Sequence, residues 1–520
     1  MTTESDKLSK SRLNWMMGAL LVTIFLTQLD QTIVSTALPT IVAKLQGFEH
    51  MSWVFTVYML ASTVMMPIAG KLSDLYGRKI FFMLGLLLFM GGSALCGVAG
   101  SMLQLVLYRG IQGIGAGFLL PVTFTLVFSI MPKERAGIYQ TLYMGVFALS
   151  SVVGPALGAV ITAFLDWRWI FFINLPFGIA IFFVMNRLLS GAKPNVGRKP
   201  SVDWAGAALL SVSTLALLLG LKMGGEEYGW QSARVISLLA LGAAAAVCFA
   251  VVQLRAKEPI LPFELFHSKV ISGTLMATFA QGIMMYGALV YIPLFVQGSL
   301  GGDVSDSGGA LTPLMFCVMV GATFSNSLIK RWSWRFNIAL SMLFTGAGLL
   351  MVIYMPYDVN PWLMRLIMAL IGIGIGIMMM VGQMAVSMSA DERIKGVATS
   401  TVGFSRSIGG VFGTAVLTSI VNSRLSALLM EKSAQLELSP DGVERLADPQ
   451  ALLQADSGLP AETLQLLRAT LGESVQFGFW FLVAAAVLGI AAAVWTGSAR
   501  FEAGRSSVQK PEKLAGPHML

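Results

Sequence analysis

The sequence predicts an all-α membrane protein whose chain crosses the bilayer many times. Hydrophobic residues make up 56% of its 520 residues and charged residues only 12%, whereas soluble chains average about 25% charged residues. Fourteen apolar runs reach the length of about 20 residues that a helix needs to cross a bilayer, and positive charges gather between alternate runs. This composition argues against a cytosolic enzyme, a nucleic-acid-binding protein and a disordered protein.

Each apolar run is expected to form a helix, because backbone groups that face lipid must form hydrogen bonds within their own segment. Runs longer than 25 residues should tilt or protrude from the bilayer. The predicted spans are residues 14–38, 52–70, 80–99, 103–130, 138–164, 169–189, 204–223, 234–254, 270–297, 308–329, 336–355, 361–387, 397–423 and 474–496.

The distribution of lysine and arginine predicts the orientation of the chain. With the N-terminus in the cytoplasm, inner segments hold 24 of the 35 Lys and Arg residues, outer segments hold eight, and three lie within spans. Cytoplasmic loops of membrane proteins carry such an excess. The charged start, residues 1–13, precedes a long apolar run and predicts an uncleaved signal anchor. We therefore expect a multi-pass protein of the inner (cytoplasmic) cell membrane with both termini in the cytoplasm.

No catalytic or metal-binding pattern is visible in the sequence. Cys96, Cys248 and Cys317 lie far apart inside apolar runs, and the three histidines lie at span edges or in the tail. The predicted spans contain no paired acids, no His cluster and no nucleophile motif. The chain also lacks a GxxxxGK[ST] phosphate-binding loop. We therefore expect neither an enzyme nor an ATP-driven pump, with no metal and no cofactor.

Landmarks in the first half of the chain recur about 255 residues later, and this constant offset at three places indicates two related halves. The paired landmarks are Ala37–Thr40 with Tyr291–Leu294, Arg109 with Arg365, and Gly154–Gly158 with Gly409–Gly413. Two facing six-helix bundles predict a substrate cavity near the midplane and alternating access. The predicted divisions are a tail (1–13), a six-helix bundle (14–190), a linker with two extra helices (191–269), a second six-helix bundle (270–497) and a tail (498–520).

The longest polar connection is an outer loop, residues 426–473. One stretch in it, Ala461–Leu471, carries leucines at helical spacing, so we expect a solvated or membrane-surface helical hairpin. A docking site for an adaptor protein is the alternative. Apart from this loop, the expected partners are the lipid bilayer, protons and a small amphiphilic substrate, with no nucleic acid, and we expect a monomer.

Asp30 is the one acid among the 27 that lies well within a predicted span. A charged side chain in hydrocarbon costs at least about 2.5 kcal/mol, so Asp30 must face protein or a water-filled cavity. A carboxylate withdrawn from water is a candidate proton carrier, because its surroundings can bring proton exchange into the physiological range. The alternative is a structural polar contact.

Arg109 should lie at a depth similar to that of Asp30, about 9 Å against about 12 Å from the outer end of each span at 1.5 Å per residue. Gln112 lies one turn from Arg109 on the same helix face. A nearby cation favours the charged form of an acid, so a proton switch could make or break this contact as the bundles rock. The alternative for Arg109 is snorkelling to the interface, which is the preferred interpretation of Arg365.

Arg406 is predicted near the midplane, about 14 Å into span 13. It shares a helix face with the glycines of residues 409–413, so it either caps backbone carbonyls at a close helix contact or faces a ligand. Gly154 and Gly158 likewise permit close helix approach. Pro155 between them should bend span 5.

The segment Gly70–Lys79 is predicted to be a tight cytoplasmic turn between spans 2 and 3. Gly70 and Gly77 would allow the bends. Asp74 and Arg78 are spaced i, i+4, for pairing or for docking on a neighbouring helix. Such a contact could lock one conformation and release in another. The alternative is an ordinary positively charged loop.

These segments resemble motifs of the major facilitator superfamily. Gly70–Lys79 resembles the family signature between helices 2 and 3. Four others resemble motifs of its fourteen-span drug:proton antiporter branch. They are Leu29–Pro39 in the first helix, Arg109–Gly113 in the fourth, where the motif is linked to proton coupling, Gly145–Gly158 in the fifth, and Trp167–Gly178 after it.

The resemblance covers nearly the whole chain and implies the major facilitator fold with two inserted helices. It also implies a proton-driven antiporter that exports small amphiphilic drugs or toxic compounds and confers antibiotic resistance, with coupling roles for Asp30 and Arg109. The implied cytoplasmic gate comprises Gly70, Asp74, Gly77 and Arg78. The implied antiporter motif, which sets direction and prevents leak, comprises Gly145, Gly154, Pro155 and Gly158, although its last glycine is Ala159 here.

The substrate cavity is expected to contain adaptable side chains, because methionine and aromatic residues fit varied apolar shapes. The candidates are Gln28, Tyr58, Gln112, Gln281, Tyr286, Phe404 and Arg406, with the Met-rich stretches around Met284 and Met379. Plain helix packing is the alternative for each. Some relatives carry further cavity carboxylates, including on helix 13, and their absence from these spans favours neutral or singly charged amphiphiles over dications.

Two other functions remain open from the sequence. The protein could export one native metabolite, with drug resistance as a side effect, and the sequence does not separate this function from multidrug efflux. A non-transporting membrane sensor or membrane enzyme is the third option. A membrane enzyme would need a catalytic constellation, which the spans lack.

Overall fold

The computed structural model describes residues 10–46, 50–130, 136–189, 202–226, 229–300, 304–356, 360–391, 393–432 and 461–500. These residues form sixteen helices and contain no β-strand. The helices are α1 (Lys10–Leu45), α2 (Trp53–Tyr76), α3 (Arg78–Gly97), α4 (Met102–Ile130), α5 (Ala136–Phe164), α6 (Trp169–Phe172), α7 (Asn174–Leu188), α8 (Trp204–Glu226), α9 (Ala233–Arg255), α10 (Glu264–His267), α11 (Lys269–Gly298), α12 (Val304–Arg331), α13 (Trp334–Ile353), α14 (Pro361–Ser389), α15 (Lys395–Glu431) and α16 (Ala461–Trp495).

The described helices confirm the predicted all-α membrane fold. Thirteen segments of the described chain are long and apolar enough to cross a membrane. The predicted fifth span corresponds to α5, whose 29 residues form one helix that continues through Pro155. At 1.5 Å per residue this helix is about 43 Å long, enough to cross a bilayer. The chain is a multi-pass membrane protein.

Several helices extend beyond the apolar runs that predicted them, and the outer loop is shorter than expected. Helix α15 continues to Glu431, and α16 begins at Ala461. The stretch 461–471 is therefore the first part of α16 and not a separate hairpin, which corrects the prediction. Leu467 and Leu471 are buried in the core of the second half, so packing stabilises these turns outside the apolar run. Residues 433–460 of the predicted loop lie outside the described residues.

The predicted sixth span is broken into α6 and α7 at Ile173. Pro176 has no backbone N–H to donate to the carbonyl oxygen of Phe172 four residues earlier, so the helical ladder is interrupted there. The preceding carbonyl, that of Phe171, accepts a hydrogen bond from Ser93 Oγ at 2.8 Å. The break places Asn174 at the start of α7, inside the first half.

The same pattern of helix contacts occurs in both halves of the chain, as the sequence repeat suggested. In the first half α1 packs on α5, and α2 and α3 pack on α4. In the second half α11 packs on α15, and α12 and α13 pack on α14. The halves meet through two equivalent contacts, α2 with α15 and α5 with α12. The predicted domain boundaries stay a prediction.

The two additional helices, α8 and α9, pack on each other beside the α2–α15 contact. Ser213 of α8 donates to the carbonyl oxygen of Gly242 of α9 at 2.9 Å. Helix α8 also contacts α2 and α15, and a methyl group at Gly225 would lie 2.8 Å from the carbonyl oxygen of Ala415. Helix α8 therefore lies against both halves at once, and α9 packs on α8.

Candidate functional site

Asp30 and Arg109 form a fully buried ion pair between α1 and α4. Arg109 Nη1 donates to Asp30 Oδ2 at 2.5 Å, and both side chains are 0% exposed. Gln112 donates through Nε2 to Asp30 Oδ1 at 2.7 Å and accepts from Arg109 Nη1 at 2.8 Å. The structure thus brings together three predicted site residues whose similar depth had suggested proximity.

Asn174 is a further partner of Asp30, and it was missed in the sequence. Its Nδ2 donates to Asp30 Oδ1 at 3.2 Å and to Ser93 Oγ at 2.9 Å. The helix break before α7 brings this amide to the carboxylate. The sequence feature that could have indicated this contact is Pro176, two residues after Asn174, because a proline interrupts the helical hydrogen bonds.

Aromatic side chains and a backbone carbonyl complete the surroundings of Arg109. Its guanidinium carbon lies 4.1 Å from the ring centre of Tyr58 and 5.9 Å from that of Phe171. Its Nε donates to the carbonyl oxygen of Val54 at 3.4 Å. Tyr58, predicted to line the cavity, therefore belongs to the buried charge cluster. Cation–π contacts of this kind reach about 2 kcal/mol when they are desolvated.

A cavity of about 510 Å³ lies between the two halves, with walls from α1, α2, α4, α5, α11, α12, α14 and α15. This volume falls within the range of about 300–1,000 Å³ that is typical of small-molecule sites. Of the predicted lining residues it contains Gln28, Tyr286 and Arg406, together with Met379 from one Met-rich stretch. Its position matches the cavity that the two-bundle repeat predicted.

Four predicted lining residues lie elsewhere. Tyr58 and Gln112 contact the buried ion pair. Gln281 donates to the carbonyl oxygen of Ile375 at 3.0 Å and accepts from Arg406 Nε at 3.2 Å. Phe404 packs against the hydrophobic core of the first half. The sequence of an apolar helix does not show which of its faces lines the cavity, because that depends on how the neighbouring helices pack against it. The Met-rich stretch around Met284 contributes Met285 to the cavity, and lining residues that were not predicted include Gln31, Thr32, Tyr143, Met315 and Gln383.

Helix α1 connects the buried ion pair to the cavity. Gln28, Gln31 and Thr32 line the cavity, whereas the carboxylate of Asp30 between them is directed toward α4 and has no exposed surface. Asp30 was expected to face either protein or a water-filled cavity. In this conformation its carboxylate is surrounded by protein. A proton carrier at this position would have to reach water in another conformation.

Asp74 joins the two halves at the end of α2. Its carboxylate accepts hydrogen bonds from the backbone N–H groups of Gly396, at 3.1 Å, and Val397, at 3.0 Å. These residues form the first turn of α15, where the helix dipole also favours a negative charge. Of the two options predicted for Asp74, pairing with Arg78 or docking on a neighbouring helix, the structure shows docking.

Gly70 does not bend the chain, which corrects the predicted turn. Helix α2 continues through it to Tyr76, and Gly77 alone makes the turn, with φ of 98°. A methyl group at Gly70 would contact Ser400 and would lie 2.7 Å from the carbonyl oxygen of Gly396. Gly70 therefore permits the close approach of α2 and α15.

Gly154 and Gly158 allow α5 to pack closely on α1. A methyl group at Gly158 would lie 2.6 Å from the carbonyl oxygen of Ile33, and one at Gly154 would contact the hydroxyl oxygen of Thr32. The third glycine of the predicted motif differs, because the nearest atom to a methyl group at Gly145 would be a sulfur atom at 3.5 Å. Pro155, between the close contacts, lines the cavity.

Arg365 lies away from these sites. Its guanidinium carbon is 4.9 Å from the ring centre of Trp362, one turn earlier at the start of α14. Tryptophan is frequent at membrane–water interfaces, so this position agrees with the interfacial interpretation of Arg365.

Comparison with known proteins identifies the family. The sequence model of the Major Facilitator Superfamily matches residues 20–414. The chain belongs to this superfamily. Two similar superfamily relatives come from Bacillus subtilis (strain 168). The multidrug transporter protein MdtP is 34% identical over 491 residues, covering 91% of this chain and 90% of that protein. Multidrug resistance protein 3 is 34% identical over 486 residues, covering 92% and 94%.

Two solved structures of transport proteins share the fold. The proton:xylose symporter XylE, bound to 6-bromo-6-deoxy-D-glucose, has a TM-score of 0.58 at 12% identity and covers 93% of this chain and 95% of its own. A bacterial homolog of the human lysosomal transporter Spinster, inward-facing and unoccupied, has a TM-score of 0.56 at 14% identity. It covers 95% of this chain and 100% of its own. At these identities the likeness concerns the fold alone.

Proposed function

We propose that this protein is a proton-coupled antiporter that exports small amphiphilic molecules by alternating access. It resides in the inner cell membrane with both termini in the cytoplasm. One observation carries the proposal: the buried pair of Asp30 and Arg109 lies on the turn of α1 that also contributes Gln31 to the cavity. A proton on Asp30 and a substrate in the cavity therefore act on the same helix turn.

The proposed coupling step is neutralisation of Asp30. A proton that enters from the outside binds the carboxylate and removes the charge that attracts Arg109. Arg109 keeps two other acceptors, Gln112 Oε1 and the carbonyl oxygen of Val54. Helix α1 is then free to shift relative to α4, which exposes the acid toward the cytoplasm, where it releases the proton.

The energies of these steps are comparable. One elementary charge that crosses 100 mV supplies about 2.3 kcal/mol, and each pH unit adds about 1.4 kcal/mol. Loss of one partner from a buried ion pair costs about 3–5 kcal/mol. One proton driven by a potential and a pH gradient can therefore offset the opening of this pair.

The α2–α15 contact is the proposed cytoplasmic gate, which is closed in this conformation. Asp74 binds the first turn of α15, and Thr125 of α4 lies 3.2 Å from Thr399 of the same helix. Thr399 also lines the cavity. Breaking these contacts would open the cavity toward the cytoplasm.

Substitution of Asp30 tests the coupling. We expect Asp30→Asn to abolish transport driven by an imposed pH gradient, and substrate-induced proton release, while the protein stays folded and binds ligand. The amide retains a carbonyl oxygen that can accept from Arg109, but it cannot carry a proton. Transport is measured in proteoliposomes. Asp166→Asn, the same change in the connection between α5 and α6, is the matched control. Normal pumping by Asp30→Asn would show that the coupling assignment is wrong.

Export of one native metabolite is the second candidate function. The names of the two Bacillus relatives favour a broader substrate range. Uptake into inverted vesicles of several dyes and drugs of unrelated structure separates the two functions. Transport of one compound alone would contradict multidrug efflux.

A further inference from the structure

Arg406 contributes a positive charge to the cavity without an acidic partner. Its Nε donates to Gln281 Oε1 at 3.2 Å, and the side chain is partly exposed where it lines the cavity. Among the described residues, this is the one hydrogen bond of the Arg406 side chain, and no carboxylate forms an ion pair with it. The end of the guanidinium therefore has donors available to a ligand.

The rest of the cavity wall does not neutralise this charge. Arg406 is the one charged side chain among the described residues that line the cavity. The acid of α1, Asp30, does not line the cavity and is bound by Arg109, Gln112 and Asn174. A cation that entered would meet an uncompensated positive charge in surroundings that screen it poorly, whereas an anion would gain from it.

The two arginines in this region, Arg109 and Arg406, differ in how fully their charge is paired. Arg109 is fully buried against a carboxylate, a glutamine and a tyrosine ring. Arg406 has one glutamine contact, and it shares the cavity with two tyrosines, Tyr143 and Tyr286. Both tyrosines line the cavity and could donate to an oxygen of the same ligand.

The shape and chemistry of the wall define the ligand. A guanidinium group presents parallel N–H donors that match a carboxylate or a sulfonate. Much of the remaining cavity lining is apolar and includes Leu314, Met285, Met315 and Met379, and the methionine side chains adapt to hydrophobic bodies of different shape. We propose that the cavity binds amphiphilic anions, with the anionic head on Arg406 and the apolar body among the methionines.

This inference deepens the proposed function, on which it rests for the direction of transport. An anion that leaves the cell and a proton that enters both move charge down an inside-negative potential. Exchange of one proton for one anion would therefore be electrogenic. Exchange of one proton for one monovalent cation would be electrically neutral.

The binding test uses three probes that share one ring and chain: 1-pyrenebutyrate, 1-pyrenebutanol and 1-pyrenebutylamine. Their fluorescence is titrated with purified protein in lipid nanodiscs, and the signal of empty nanodiscs is subtracted. We expect the wild-type protein to bind the butyrate at least about tenfold more tightly than the ammonium probe, because a charge-assisted contact carries the difference.

Substitutions locate the effect at Arg406. Arg406→Gln should weaken butyrate binding by about tenfold to a hundredfold and leave butanol binding unchanged, which also reports that the cavity is intact. Arg406→Lys keeps the charge but loses the paired donors, so it should retain part of the preference. Arg365→Gln, the same change beside Trp362, is the matched control and should bind all three probes like the wild type.

The outcomes separate this inference from the proposed function. Equal binding of butyrate and ammonium probes by the wild type, or unchanged butyrate binding by Arg406→Gln, overturns the anion site. If Arg406→Gln fails to fold, the preference of the wild-type protein for the butyrate over the ammonium probe decides whether the cavity binds anions. Anion-selective binding without proton-driven movement of the butyrate in proteoliposomes overturns export and leaves the site standing. Transport that increases with an inside-negative potential supports both.

Discussion

Arg109 is expected to be needed for stability, because its loss would leave the carboxylate of Asp30 as an uncompensated buried charge. Arg109→Gln should destabilise the protein by about 3–5 kcal/mol. Adding Asp30→Asn to that variant removes the stranded carboxylate and should recover about 1–3 kcal/mol. Thermal unfolding of both variants in the same detergent measures this coupling.

The control for this cycle is Arg365→Gln, which removes a charge beside Trp362 and should change stability by less than about 1 kcal/mol. A double variant less stable than Arg109→Gln would contradict a direct ionic dependence.

At the residue scale, an acid that lies alone in an apolar run can be found from sequence, because hydrocarbon penalises charge strongly. This rule identifies Asp30, and depth and helix spacing add Arg109 and Gln112. Asn174 could not be found by the same rule, since an amide carries no charge. Its contact with Asp30 depends on the helix break before α7.

The packing of α5 on α1 should be sensitive to a single methyl group. Gly158→Ala places a carbon 2.6 Å from the carbonyl oxygen of Ile33, and such overpacking typically costs about 1–3 kcal/mol. We expect a lower unfolding temperature and reduced transport, because α1 carries both Asp30 and part of the cavity wall.

Gly145→Ala is the matched control within the same motif. Its new methyl group would lie 3.5 Å from Met319 Sδ, an ordinary contact, and alanine gains up to about 1 kcal/mol in helix propensity over glycine. It should be neutral or stabilising. Equal destabilisation by both substitutions would show that close approach to α1 is not the reason for Gly158.

At the element scale, hydropathy located the helices and placed several ends incorrectly. The apolar run of α2 stops at Gly70, yet the helix continues to Tyr76, because Lys71 and Ser73 are buried against other parts of the protein. Lys71 Nζ reaches Glu258 at 2.8 Å. Helix α16 begins early for a similar reason, since tertiary packing covers Leu467 and Leu471.

At the scale of the whole molecule, Asp74 should control how tightly the two halves close. Its carboxylate accepts from the N–H groups of Gly396 and Val397, so Asp74→Ala should leave these amides open to water. We expect faster hydrogen–deuterium exchange in a peptide covering residues 393–402, measured by mass spectrometry at neutral pH, together with a leakier gate.

Asp166→Ala is the control for this exchange experiment, because Asp166 also accepts from a backbone N–H group, that of Arg168 at 3.0 Å. The hydrogen bond from Lys44 holds the pKa of Asp166 below its usual value, so this acid is charged at neutral pH. Its loss should leave exchange at residues 393–402 unchanged. Wild-type exchange there in Asp74→Ala would contradict the proposed gate.

The sequence by itself determined the all-α membrane fold, the repeat between the halves and the lone buried acid, because bilayer physics penalises every polar group that is not paired. The tertiary structure decided which helix faces meet the cavity. In the folded protein, Asp30 contacts Arg109, Tyr58 and Gln112 belong to the same buried cluster, and Arg406 faces the cavity. In an apolar membrane helix the sequence does not distinguish one face from another. The rotation of each helix about its axis therefore depends on the neighbours that pack against it.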